Sequence, residues 1–184
     1  MEFYLTYKGA LKANACPKEK HEIRKHFKPQ LKKVWDMEPL KRYKECLSEK
    51  QEPGRISMIK EIGNIRFAPL ITSKSDLVCE LDIVLLWPDE AGKIIDNTGD
   101  IDNRLKTLFD ALACPDKNQI EKVLECYEKG DPFFVLLEDD KLITSVSIKT
   151  GTLLSSQDNS DVFMIIEVKV KAVTLNYANM CLPL

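Results

Sequence analysis

Asp100 and Asp102 lie one residue apart in Gly99-Asp100-Ile101-Asp102-Asn103-Arg104-Leu105-Lys106, and Lys106 follows Asp102 by four positions. On a helix that spacing sets Asp102 and Lys106 along one face. Further on, Leu137-Glu138-Asp139-Asp140 puts three consecutive acids at the end of an apolar run. Hard cations such as Mg²⁺ take carboxylate oxygens and keep several waters, so two or three aspartates suffice to hold one. A lysine beside metal-bound carboxylates can offset charge growing on a phosphate oxygen in a transition state. The pattern therefore fits phosphodiester chemistry. Structural alternatives stand next to it. An aspartate at a helix N-cap accepts backbone N–H bonds and opposes the macrodipole, worth about 1 kcal/mol, which accounts for one of the pair. Lys106 can instead serve in i,i+4 ion pairs with Asp102 or Asp110. A calcium loop does not fit. Counted from Asp96 or Asp100, the sixth-position glycine and twelfth-position glutamate of an EF-hand are missing.

These residues need elements to position them. Residues 102–113 predict one strong helix, with Leu105, Leu108, Phe109 and Leu112 as its apolar stripe. Residues 77–87 alternate, with Leu81, Ile83, Leu85 and Trp87 on one face and Glu80 and Asp82 on a solvated one, until Pro88-Asp89 ends the strand. Residues 135–137 predict a short apolar strand, so Glu138–Asp140 sit at a strand end, a rigid base from which to aim a carboxylate. Residues 141–150 and 162–174 alternate as well, the latter with Glu167, Lys169 and Lys171 outward. Towards the N-terminus, residues 3–7 predict a first strand, and Pro17 opens a short basic helix over 18–27. Pro29 and Pro39 then predict separate helical pieces at 30–35 and 40–47. The sum is an α+β chain of one domain, a mixed or antiparallel sheet covered by helices. Its basic helical portion covers about residues 17–55 and its motif-bearing core about 75–175.

Composition excludes several classes. With 44% apolar and 30% charged residues in 184, the chain is an ordinary globular protein, not a disordered one. No apolar run approaches the roughly 20 residues of a membrane span. The first residues lack a basic start followed by an apolar stretch, so a cytoplasmic chain without membrane association is expected. Six cysteines show neither Cys-x-x-Cys nor zinc spacing, and only His21 and His26 are available as histidine ligands. Glycine-rich phosphate loops are absent. The net charge of −2 hides a polarity: residues 1–66 carry 16 basic and 9 acidic side chains, and the rest carry 11 and 20. Lys18, Lys20, Arg24, Lys25, Lys28, Lys32 and Lys33 fall within sixteen residues, a candidate surface for an anionic partner. Two solvated faces of opposite sign explain the same numbers.

Asp100-Ile101-Asp102-Asn103, then Lys106, then Phe109-Asp110-Ala111-Leu112, with the later Leu137-Glu138-Asp139-Asp140 and Ile143, closely resembles the RusA family of Holliday-junction resolvases. The resemblance is specific over about residues 75–150 and extends in outline beyond them. It implies a RusA-like, dimeric fold and a Mg²⁺-dependent (or Mn²⁺-dependent) endodeoxyribonuclease acting on four-way DNA junctions. It further implies that Asp100, Asp102 and Asp140 hold the metal and that Lys106 is the catalytic lysine. Asn103 and Asp139 match further motif positions, and the seven basic residues of 18–33 would face DNA. Two stretches depart from the compact family pattern: residues 114–134, where a short loop is expected, and the longer region at about 18–54. Both bear on substrate choice, so a nuclease for other branched or single-stranded DNA is an alternative. Another is a non-catalytic DNA-binding protein of the same fold, which would need none of the motif acids that are all present here.

Overall fold

The computed structural model describes residues 1–48, 57–88, 101–127, 130–154, 161–175 and 179. In chain order these form β1 (Glu2–Ala10), α1 (Pro17–Asp36), a 3₁₀ helix (Leu40–Leu47), β2 (Lys60–Ile62), β3 (Ile65–Ile71) and β4 (Leu77–Trp87). Then follow α2 (Ile101–Leu112), α3 (Lys117–Glu121), β5 (Phe133–Leu137), β6 (Ile143–Thr152) and β7 (Asp161–Ala172). The architecture is α+β, as the sequence predicts, but the strands divide into two sheets where one was expected.

The larger sheet has the order β1-β7-β4-β6, antiparallel except for the parallel β4–β6 pair. Alternation decides its faces. Leu77, Cys79, Leu81, Ile83, Leu85 and Trp87 of β4 are buried together with Val162, Met164, Ile166, Val168 and Val170 of β7. On the opposite face Glu80 and Asp82 do not stand singly in solvent: Lys171 reaches Glu80 at 2.5 Å and Lys169 reaches Asp82 at 2.7 Å. Such solvent-exposed cross-strand pairs fix register more than they add stability.

The second sheet, β2-β3-β5, was not expected from the sequence beyond its last strand. Its hairpin closes on Gly63 and Asn64, both at positive φ (58° and 66°), the two-residue turn that matches strand twist. β5 runs parallel to β3 and is buried at all five positions, which is why it reads as a continuous apolar run. Phe134, Leu136 and Leu137 join the main core, while Phe133 and Val135 meet Phe67, Ile120, Val123 and Tyr127 in a smaller one. Ile120, Val123 and Tyr127, from the segment after α2, thus cover the outer face of this sheet. This stretch carries α3 followed by a 3₁₀ turn at Leu124–Cys126.

α1 corrects a second expectation. It is one helix of 20 residues with Pro29 inside it, not two pieces. Proline in a helix interior costs about 3 kcal/mol through its missing N–H and the clash behind it. Pro29 lies on the exposed side, where water can serve the released carbonyl, while Ile23, Phe27, Leu31 and Trp35 are buried on the other. Each large apolar side chain so buried contributes about 1.5–3 kcal/mol, enough together to hold the helix through the proline. α1 packs on α2, whose Leu105, Leu108, Ala111 and Leu112 enter the same core. Among the described residues, no helix is long and apolar enough to cross a membrane.

Candidate functional site

The two acidic motifs are far apart in sequence and are joined by backbone. The N–H of Cys114, just past the end of α2, donates to the Leu137 carbonyl at 2.9 Å, and Ala113 bridges to Leu137. This ties the C-terminal end of α2 to the end of β5. Directly after β5, a 3₁₀ turn (Asp140–Leu142) packs against α2. An open cleft of ≈ 280 Å³ results, with Asp110, Cys114, Glu138, Asp139, Asp140 and Lys60 among its walls.

The three consecutive acids have separate fates. Glu138 accepts the Ser73 N–H at 3.1 Å and its hydroxyl at 2.9 Å, and pairs with Lys60 at 3.3 Å. Partial burial would raise its carboxyl, but the Ser73 donors and Lys60 outweigh that and hold it below the ordinary carboxylate value. Asp139 caps the 3₁₀ turn by accepting the Lys141 N–H at 3.1 Å. Its carboxyl is likewise held down: burial opposes, and the Lys141 N–H and ammonium, with Lys60, prevail. The Asp140 side chain is exposed and makes no hydrogen bond or ion pair with a described residue. Its carboxylate is the uncommitted one of the three.

Asp102 and Lys106 stand on the exposed side of α2, Asp102 in its first turn, with Asn103 partly buried beside them. Lys106 has no hydrogen bond or ion pair with a described residue. The pairing between Lys106 and Asp110 allowed by their spacing is not formed, because Asp110 takes Lys20 of α1 at 2.6 Å. Asp102 lies roughly 12 Å from Asp110 along the helix axis at 1.5 Å per residue. It therefore belongs to the opposite end of α2 from the cleft. Asp100 lies outside the described residues. Among the described residues, no group of three His, Cys, Asp or Glu side chains is gathered closely enough to hold a metal ion. The donors that the described part does contribute, Asp102 and Asp140, are hard carboxylate oxygens, the chemistry that suits Mg²⁺.

The basic cluster is largely committed. Arg24 is no surface residue: it is 1% exposed, donating from Nε to the Ala113 carbonyl at 3.1 Å and from Nη2 to the Asp110 carbonyl at 2.7 Å. The guanidinium thus serves carbonyls at the α2 C-terminus that the helix cannot satisfy itself, which removes Arg24 from a DNA-facing set. Lys20 is held by Asp110, Lys25 by Glu22 at 3.2 Å, and Lys32 by Asp131 at 2.7 Å. Lys28 lies over the Phe133 ring, 5.1 Å from its centroid. Lys18 and Lys33 remain exposed with no hydrogen bond or ion pair to a described residue. Sequence reasoning missed Lys60 and Asp110 as cleft residues and Ser73 as the donor to Glu138. Asp110 was visible in the Phe-Asp-Ala-Leu run; Lys60 and Ser73 carried no local signal.

Comparison of the chain with protein-family models, with curated proteins and with solved structures finds no match in any of the three.

Proposed function

We propose that the chain is a RusA-like, Mg²⁺-dependent endodeoxyribonuclease that cuts branched DNA, four-way junctions in particular, as a homodimer. The observation that carries the reading is the packing of the Asp140 turn against α2, with Asp140 and Lys106 both exposed and uncommitted to described neighbours. By the resemblance, Asp100 (outside the described residues), Asp102 and Asp140 would hold the metal, although Asp102 stands toward the N-terminal end of α2, away from the cleft that Asp140 lines, and no three such ligands are gathered among the described residues. Bound there, Mg²⁺ would supply a more acidic water and a Lewis acid for the phosphate. Lys106 stabilises the negative charge that grows on the phosphate oxygen as the bond to phosphorus forms. Lys18 and Lys33 contact the DNA backbone, which gives affinity without sequence information. Paired cuts across a junction require two sites related by a dyad, hence the homodimer.

The test is cleavage of labelled four-way junctions beside linear duplex, with Mg²⁺ or EDTA. Junction cutting in Mg²⁺ that EDTA abolishes is expected. No metal-dependent cutting of any DNA sinks the enzyme; equal cutting of linear duplex sinks only the junction preference.

A further inference from the structure

The larger sheet ends in two unlike edges. At β1 the edge is blocked: the Thr6 N–H donates to Gln30 Oε1 at 2.9 Å, and Gln30 Nε2 returns a bond to the Thr6 carbonyl at 2.8 Å. His26 Nε2 lies 3.1 Å from the same carbonyl. At the other end β6 pairs only with β4 among the described residues. None of its ten residues is buried, and Ile-Thr-Ser-Val-Ser-Ile-Lys-Thr-Gly-Thr carries one charge and no proline. Six of the ten are β-branched, the composition that pairs most readily. Natural proteins protect an edge this long with charge, proline or a cover, and among the described residues β6 has none of these beyond Lys149.

Its side chains also point to what should cover it. Val146 and Ile148 lie in register with the core residues Leu81 and Ile83 of β4, so they continue the apolar row past the edge of the core, where Val146 is 39% exposed. A two-fold axis through Ser147 would set Val146 of each copy opposite Ile148 of the other. The same axis sets Thr144 opposite Thr150 and Ser145 opposite Lys149. Apolar meets apolar on one side, and no like charges face each other.

We propose that the β6 edge is the dimer interface: two copies join antiparallel through β6 into one continuous eight-stranded sheet with its dyad near Ser147. The inference deepens the homodimer of the proposed nuclease and takes only its two-fold symmetry from that reading. The experiment is light scattering on the full chain, with three variants. Wild type is expected at twice the 21.0 kDa chain mass. Val146→Lys, a change at an exposed position, is expected to be monomeric with an unchanged circular dichroism spectrum. Ser147→Cys is expected to give a disulfide-linked dimer on mild oxidation, because opposed Cα atoms in an antiparallel pair are roughly 4.5–5.5 Å apart, within disulfide range. Asp102→Asn, inactive if the nuclease reading holds, is expected to stay dimeric, so failure of catalysis and failure of the interface are read separately. A monomeric wild type overturns the proposal. So does a dimer that survives Val146→Lys, or one in which Ser147→Cys forms no link.

Discussion

Replacing Arg24 with methionine separates a structural arginine from a DNA-binding one. The side chain is 1% exposed and makes two bonds to carbonyls at the end of α2, at 3.1 and 2.7 Å. Hydrogen bonds from a charged group contribute about 1.5–3 kcal/mol each, and their loss leaves two carbonyls with fewer partners. Against this stands the cost of keeping a guanidinium out of water, which the variant no longer bears. Burial itself already lowers the pKa of Arg24. Methionine fills much of the same space, so the net loss should be about 2–4 kcal/mol. For a chain of this length each kcal/mol moves the melting temperature by roughly 2–4 °C, so a fall of about 5–15 °C is expected. The assay is a thermal melt paired with DNA binding at several salt concentrations. The expected result is a lower melting temperature with an unchanged salt slope among the folded molecules. An unchanged melting temperature with a salt slope reduced by about 1 would show Arg24 on a phosphate and refute the reasoning.

Lys106→Ala should lower junction cleavage by on the order of 100-fold while leaving junction binding in EDTA nearly intact; a proportional loss of binding would make Lys106 a positioning residue. Thiol alkylation at mildly alkaline pH should mark the exposed Cys16 well before Cys79 and Cys114, whose burial pushes each thiol up to about 12; early labelling of Cys114 would contradict the packed cleft wall. Glu138 has a folded pKa below its ordinary value, so its stabilisation is present above the unfolded carboxylate range, about 4.3, and is lost as pH falls through the folded value. Urea midpoints at neutral and acidic pH should therefore converge for Glu138→Gln relative to wild type, and parallel acid limbs would refute the Ser73 and Lys60 contacts.

Where one physical signal dominated, the sequence was legible. The alternation of residues 77–87 defines β4 to the residue, because one of its faces is fully buried. The α2 stripe and the strand-end position of Glu138–Asp140 were equally plain. Pro29 misled because a local rule met a tertiary override: the buried face of α1 outweighs one missing bond. The β2–β3 hairpin went unread although Gly63-Asn64 is a turn pair between isoleucines, because β2 is too short to show alternation. Charge told least. A count of basic residues cannot distinguish Arg24, which holds a helix end, or Lys20, which holds Asp110, from Lys33 on the surface. Those assignments depend on α1 lying against α2, a contact between segments about 80 residues apart that no local pattern encodes.

The most direct test of the account is the single-turnover rate of Mg²⁺-dependent incision of a four-way junction by wild type, Asp102→Asn and Asp140→Asn. Removing a metal-binding carboxylate withdraws several kcal/mol of transition-state stabilisation, so both variants should lose on the order of 100-fold or more while keeping the wild-type melting temperature. Incision that survives both substitutions, or a wild type that cuts no DNA, would contradict the proposed function.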